Sequence, residues 1–287
     1  RKFIQQAGMT SALAFISQNK TDKYFVQALA LYPRVELLKD QLREIFLEAR
    51  KLDPILGGAG ISPIRIGAYY NSVLRSARDV DHRQRMYERN WRRTKEDTGW
   101  VCPYMVCPYC GRDALAWLDE EIEKERDNNA KGIYGKYETL KCLSCEAEIS
   151  GELLPLTRIH QLNKPPDILF TTTETLNRRL GDPPEHHLFG INQKEPPRML
   201  LMDEIHLNEG FHGSQVAYLL RRWQYARGKK SGLCIVGLSA TLTRADTFFS
   251  RLTGISNVSY ITPSEDDMVD EGLEYNLVLK GDPTSGT

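Results

Sequence analysis

Hydrophobic and polar positions along the chain follow two alternating rhythms. Short apolar runs recur at "VQALAL" (26–31), "IRIGAYY" (64–70), "DILFTT" (167–172), "RMLLMD" (198–203) and "LCIVGLS" (233–239), each of strand length. Between several of them the spacing turns helical. Leu38, Leu42, Ile45, Phe46 and Ala49 form one apolar stripe, and Val216, Leu219, Leu220 and Trp223 form another, with Arg221 and Arg222 beside it. Apolar strands alternating with helices predict a parallel sheet covered on both faces, an α/β fold. The stretch from about Asp79 to Leu156 breaks this rhythm. It reads as an insertion between two core strands.

Composition narrows the picture. At 287 residues and 41% hydrophobic content the chain has enough apolar surface for a core and too much for disorder. No apolar run approaches the roughly 20 residues of a membrane span. The opening "RKFIQQAGMT" is basic but lacks the apolar segment that follows in a signal peptide. With no export signal, six cysteines point to a reducing compartment, the cytoplasm, and to metal or packing before disulfides. Lys+Arg and Asp+Glu are equal at 38 each, so net charge names no partner. Its distribution is uneven. Arg75 to Lys95 holds eight basic residues against three acidic ones, with Tyr87 and Trp91 among them, whereas Glu265 to Glu274 is strongly acidic.

Five of the six cysteines lie in the insertion. Cys107-x2-Cys110 and Cys142-x2-Cys145 make two CxxC pairs, 31 residues apart. Zn²⁺ takes four thiolates in a tetrahedron, and two short knuckles deliver them in pairs. The spacer is longer than the usual ribbon spacer, and its middle, "EEIEKERDNNAKGIYGKYE", reads as a polar excursion rather than core. Cys102 is expected to be spare, although it could replace one ligand. Cys234 is expected to be a small buried hydrophobe. A third reading, a zinc-dependent hydrolase, is disfavoured, because four thiolates close the coordination shell and leave no position for water.

At the carboxyl ends of the predicted strands small polar or acidic residues recur in one order: "YPR" with Gln41, "TTTETL" (171–176), "DEIH" (203–206) and "GLSAT" (237–241). In open α/β sheets ligands bind at that edge. The series resembles motifs Ia, Ib, II and III of superfamily 2 DExH-box helicases, over roughly residues 7 to 262. The resemblance implies a RecA-like lobe that binds ATP and Mg²⁺. Asp203 would hold the metal, Glu204 would orient and deprotonate the attacking water, and His206 would link the nucleotide to Ser239 and Thr241. Pro33, Arg34, Gln41, Thr171, Thr172 and Glu174 would line a DNA-backbone face. For Arg85, Arg89 and Arg92 two readings stay open, a solvated helix face or a further backbone contact. "DEIHLNEGFHGSQVAYLLRRW" is similar to the Hrq- and Mrf-related branch, and within it to the DrmA helicases of the bacterial DISARM anti-phage system. That implies DrmB and duplex DNA with a single-stranded end as partners.

The family's phosphate loop, G-x-x-x-x-G-K-[ST], is expected roughly 25 residues before motif Ia. The corresponding stretch, "AGMTSALAF" (7–15), offers Gly8 and the "LAF" flank but no Gly-Lys-Thr. No motif IV to VI and no arginine finger follow Thr241. The expectation is a piece of a motor: residues 1–78 begin the lobe, 79–156 carry the insertion, 157–262 complete the lobe, and 263–287 lead toward a second one. The rival reading is a catalytically silent module that binds DNA or protein.

Overall fold

The computed structural model describes residues 2–81, 83–228, 232–239, 242 and 244–261. Five strands form a parallel sheet: β1 (Ala28–Tyr32), β2 (Ile66–Tyr69), β8 (Ile168–Thr172), β9 (Met199–Met202) and β10 (Cys234–Gly237), in the order β10-β9-β1-β8-β2. Four lie within the apolar runs expected to be strands, and β1 runs one residue past its own, to Tyr32. The fold is α/β and RecA-like, with helices on both faces of the sheet.

Alternation along the strands builds two cores, because successive side chains point to opposite faces. Ala28, Ala30, Ile168, Phe170, Met199 and Leu201 pack on one side, with α1 (Lys2–Asn19) and α2 (Val35–Gly58). Leu29, Leu31, Leu169, Leu200 and Met202 pack on the other, with α7 (Gly210–Arg227) and α8 (Ala245–Thr253). Every residue of the two stripes expected from spacing is buried: Leu38, Leu42, Ile45, Phe46 and Ala49 in α2, and Val216, Leu219, Leu220 and Trp223 in α7. Cys234 is a correction. It is exposed, because β10 is an edge strand among the described residues and has a neighbour on one side only.

The insertion forms an antiparallel meander of short strands: β3 (Arg92–Arg93), β4 (Gly99–Val101), β5 (Leu115–Leu118), β6 (Leu140–Cys142) and β7 (Glu148–Ile149). The supposed polar excursion is instead helix α4 (Asp119–Ala130), with Ile122 and Glu125 buried. The Glu125 carboxylate accepts the N–H groups of Gly135 and Tyr137 at 2.6 and 2.8 Å, and Asn129 Nδ2 at 2.6 Å. A carboxylate so satisfied can be buried. The basic stretch is helical only in part, with a 3₁₀ turn at Ala77–Asp81 and α3 (Arg83–Glu88) before β3. Trp91, Trp100 and Trp117 join the α1–α2 core, so the insertion is fused to the lobe.

Two buried ionic clusters hold these parts together. Asp167, at the amino end of β8, is fully buried. Its oxygens accept hydrogen bonds from Lys20 Nζ (3.1 Å), Gln27 Nε2 (3.2 Å), Arg65 Nη2 (2.7 Å), Arg65 Nε (3.1 Å) and the Arg65 N–H (2.8 Å). Glu138, just before β6, accepts the N–H groups of Leu156 and Thr157 at 2.7 and 3.1 Å, the Thr157 hydroxyl, and His160 Nδ1 at 2.9 Å. His160 belongs to α5 (Arg158–Asn163), which returns the chain to β8, so Glu138 joins insertion to lobe.

Replacing Asp167 with Ala strands the Arg65 and Lys20 charges in the interior and is expected to destabilise the protein by about 3–5 kcal/mol in denaturant unfolding. The Glu138–His160 pair predicts a pH window. Burial opposes both charges, yet the partner raises the His160 pKa and lowers that of Glu138. The histidine's contribution is present below its unfolded value of about 6.5 and is lost as pH rises through its raised folded pKa. The glutamate's is present above about 4.3 and is lost as pH falls. Unfolding free energies measured across pH should therefore show a loss on the alkaline side that His160→Gln abolishes.

Candidate functional site

Because the five strands run parallel, their carboxyl ends share one edge. There β9 passes into Asp203 and Glu204, both only 4% exposed. The Glu204 N–H donates to Asp203 Oδ1 at 2.8 Å. Glu204 has φ +49°, a left-handed conformation that is rare for a residue with a side chain. Such strain marks a backbone that its surroundings force into place. Asp203 is close enough to Tyr32, at the end of β1, that its charge adds to burial in raising the phenol pKa well above its ordinary value.

His206 lies in a 3₁₀ turn, Ile205–Leu207. Its Nδ1 is 3.3 Å from Glu204 Oε2 and 3.2 Å from Ser239 Oγ. A single ring nitrogen therefore faces both an acid and a hydroxyl. Protonated, it donates to either oxygen; bare, it accepts the Ser239 hydroxyl. The backbone fixes this register, since Leu238 N–H donates to Met202 O at 2.8 Å and Ile205 N–H to Leu238 O at 3.1 Å. Gly237 is required beside it, because a Cβ there would lie 2.4 Å from the Phe249 ring. Thr241 lies outside the described residues. Gly8 falls within the helical span of α1, so residues 7–15 form part of a helix rather than a loop.

The residues expected to face DNA divide into two groups. Arg34, at the start of α2, is exposed, and Pro33 is half-buried. Gln41 is buried in α2. Thr171 is fully buried and donates its hydroxyl to Tyr69 O at 2.8 Å. Thr172 caps α6 (Thr173–Arg179), accepting the Thr175 N–H at 3.1 Å. Glu174 pairs with Arg178 at 2.6 Å. In the basic stretch Arg85 is exposed, whereas Arg89 pairs with Asp79 at 3.0 Å and Arg92 with Asp113 at 3.4 Å. Trp91 is core, and Tyr87 packs edge-on against Trp100.

The four cysteines converge. Cys107, Cys110, Cys142 and Cys145 place their Sγ atoms within 4.8 Å of one another. Cys107 Sγ is 3.5 Å from Cys145 Sγ, and Cys110 Sγ is 3.6 Å from Cys142 Sγ. A tetrahedron with Zn–S bonds of ~2.3 Å has edges of ~3.8 Å, so the thiols fit zinc. Matching knuckles build the site. Gly111 N–H donates to Cys107 O at 2.9 Å, and Glu146 N–H donates to Cys142 O at 2.9 Å. Both turns need φ near +60°, supplied by Gly111 in one and by Glu146 in the other. Burial pushes the Cys142 thiol up, but the Ser144 and Cys145 N–H groups and neighbouring thiols bring it down to about 7. Cys102 stays outside the cluster, fully buried, and its pKa is pushed up to about 12 chiefly by that burial.

No protein-family model matches the chain, and no curated protein matches it. Among solved structures it is similar to Mycobacterium smegmatis helicase Lhr bound to ssDNA and AMP-PNP, with 16% identity over 84% of this chain and 20% of that one, at a TM-score of 0.46. It is also similar to the DUF1998 helicase MrfA, with 13% identity over 86% of this chain and 28% of that one, at a TM-score of 0.31. MrfA bound to DNA gives 13% identity, 86% and 26% coverage, and a TM-score of 0.33. The chain thus spans between 20% and 28% of the length of these structures. No described helix is long and apolar enough to cross a membrane.

Protein purified without chelator is expected to carry one zinc per chain by elemental analysis. Cys142→Ser should drop that to well below stoichiometric and lower the melting temperature, since structural zinc contributes folding energy. Full zinc occupancy in a Cys107→Ser/Cys142→Ser double variant would contradict this ligand set.

Proposed function

We propose that this chain is the first RecA-like lobe of an ATP-dependent DNA helicase or translocase of superfamily 2. The observation that carries this reading is His206 Nδ1 poised between Glu204 and Ser239 at the carboxyl edge of the sheet. Two buried carboxylates on a ligand-binding edge suit a hard divalent cation, whose preferred ligands are oxygens. Mg²⁺ bound with ATP would supply charge neutralisation at the phosphates. Asp203 would hold that ion, directly or through water. Glu204 would orient the attacking water and take its proton at a carboxylate oxygen.

The shared imidazole nitrogen then couples chemistry to the strand beside it. When Glu204 is an anion, a protonated His206 Nδ1 is drawn to it. When Glu204 has taken a proton that attraction falls, and Ser239 becomes the better partner. A change at the acid thus reaches the segment after β10, from which Thr241 follows. Arg34 and Pro33 sit on the same edge, where a DNA backbone would be gripped. The α7 sequence after "DEIH" supports the finer placement among DISARM helicases of the DrmA type, with DrmB as partner. The helical setting of Gly8 favours one rival, a silent DNA- or protein-binding lobe.

Steady-state ATP hydrolysis by the full-length protein, with DNA present, separates the two. Glu204→Gln keeps the shape but removes the proton acceptor, so turnover should fall by ~10²–10⁴-fold while nucleotide still binds. Asp203→Ala should instead weaken Mg²⁺-dependent nucleotide binding. Wild-type turnover in a folded Glu204→Gln protein would leave the silent lobe as the surviving reading.

A further inference from the structure

The proposed motor cycle uses neither the acidic stretch from Glu265 to Glu274 nor the solvent face of α7. Three of the most exposed aromatic side chains lie on that face: Phe211 is 81% exposed, Tyr218 74% and Tyr225 90%. They recur at heptad spacing. Seven residues make nearly two helical turns, so the rings form one stripe that drifts by ~20° per heptad over ~21 Å of helix. The opposite face is the packed one, through Val216, Leu219, Leu220 and Trp223. Single exposed rings are ordinary, whereas a contiguous row marks an interaction surface.

Charge decides what kind of occupant fits. α7 contains no Asp or Glu, and Arg221 and Arg222 are exposed between Tyr218 and Tyr225. Arg221 donates to Arg251 O at 2.8 Å and to Leu252 O at 3.3 Å, and Arg222 Nη1 to Asn177 Oδ1 at 3.3 Å. These partners are neutral, so the face keeps its positive charge. A second copy of the chain would bring arginines to arginines and supply no acid.

Residues 262–287 lie outside the described residues. Their sequence supplies what the face lacks. Between Thr262 and Leu279 stand the acids Glu265, Asp266, Asp267, Asp270, Glu271 and Glu274 and no base, with apolar residues from Met268 to Leu279 among them. The segment also starts in the right place. α8 ends against α7, where Gln224 Nε2 donates to Thr253 O at 2.8 Å and Gly254 lies beside the Arg221 guanidinium. Val258 packs against the core that α7 and α8 share. The stretch from Gly254 to Glu265 can span up to ~36 Å, whereas α7 is ~27 Å long. So short a tether holds the acids at high effective concentration over the whole stripe.

We infer that the acidic segment from Glu265 to Leu279 docks on the solvent face of α7, its apolar side chains covering Phe211, Tyr218 and Tyr225 and its carboxylates facing Arg221 and Arg222. Each ring offers on the order of 150–250 Å² to burial. The exposed ion pairs add direction more than energy. The inference does not rest on the motor reading. It straps the chain that leaves the lobe to the helix that begins just after the Asp203–Glu204 turn.

Hydrogen exchange followed by mass spectrometry in the full-length protein tests this, with a synthetic peptide of residues 262–279 as the unprotected standard. Two variants each remove one side of the contact: Tyr218→Ala/Tyr225→Ala on the helix, and Asp266→Asn/Asp267→Asn/Asp270→Asn on the segment. In the wild type, amides from 265 to 279 should exchange about tenfold or more slowly than in the peptide. Both variants should return them close to the peptide's rate, and about 1 M salt should weaken the protection by screening the charges. Wild-type amides exchanging at the peptide's rate would overturn the inference. So would protection that survives in Tyr218→Ala/Tyr225→Ala, since the segment would then be held elsewhere. Should that variant also lose protection within α7, the Asp→Asn variant decides, because it leaves the helix untouched. A dimer in light scattering that Tyr218→Ala/Tyr225→Ala dissolves, with 265–279 unprotected, would assign the stripe to a second copy instead.

Discussion

Parallel strand pairing is the constraint from which the rest of this structure follows. β1 is hydrogen-bonded to β8 on one side and β9 on the other, all running the same way. A parallel pair cannot be closed by a tight turn, so every strand returns through a crossover that covers a face of the sheet. Both faces of β1 are therefore buried, and every strand ends at the same edge. Asp203, Ser239, Thr172 and Arg34 are scattered along the chain. This geometry alone makes them neighbours.

The same constraint accommodates the insertion. β2 and β8 are parallel neighbours, so the segment between them crosses the sheet, and the insertion within it begins and ends close together at the Leu74–Thr157 bridge. Closing so long a loop costs little more than closing a short one. Shared burial of Trp91, Trp100 and Trp117, with the Glu138 carboxylate at the joint, then makes the ribbon part of the lobe. A zinc held between the two knuckles would stiffen a body already attached to the sheet.

The two ends of the sheet are built differently. At the amino end Asp167 is saturated with hydrogen bonds and shut away from water. At the carboxyl end Glu204 holds a left-handed backbone and His206 offers one nitrogen to two oxygens. A left-handed acid next to a shared imidazole nitrogen is a physical reason to look for function at this edge, independent of any resemblance.

Much of the fold was legible in the sequence, because burial on both faces writes itself as short apolar runs, and helix burial as a stripe at 3.6-residue spacing. The five sheet strands and the α2 and α7 stripes are legible this way, the four converging cysteines are legible from their paired spacing, and the resemblance to DExH-box helicases links His206 with Ser239. Other features required the tertiary structure. Cys234 reads as core from its apolar neighbours, but only strand order reveals that it lies on an edge. Arg89 and Arg92 read as free cations until Asp79 and Asp113 are placed beside them. Glu125 and Glu138 look like surface charges, yet N–H groups brought from distant turns let them be buried. Periodicity records which residues are buried but not which partners meet them.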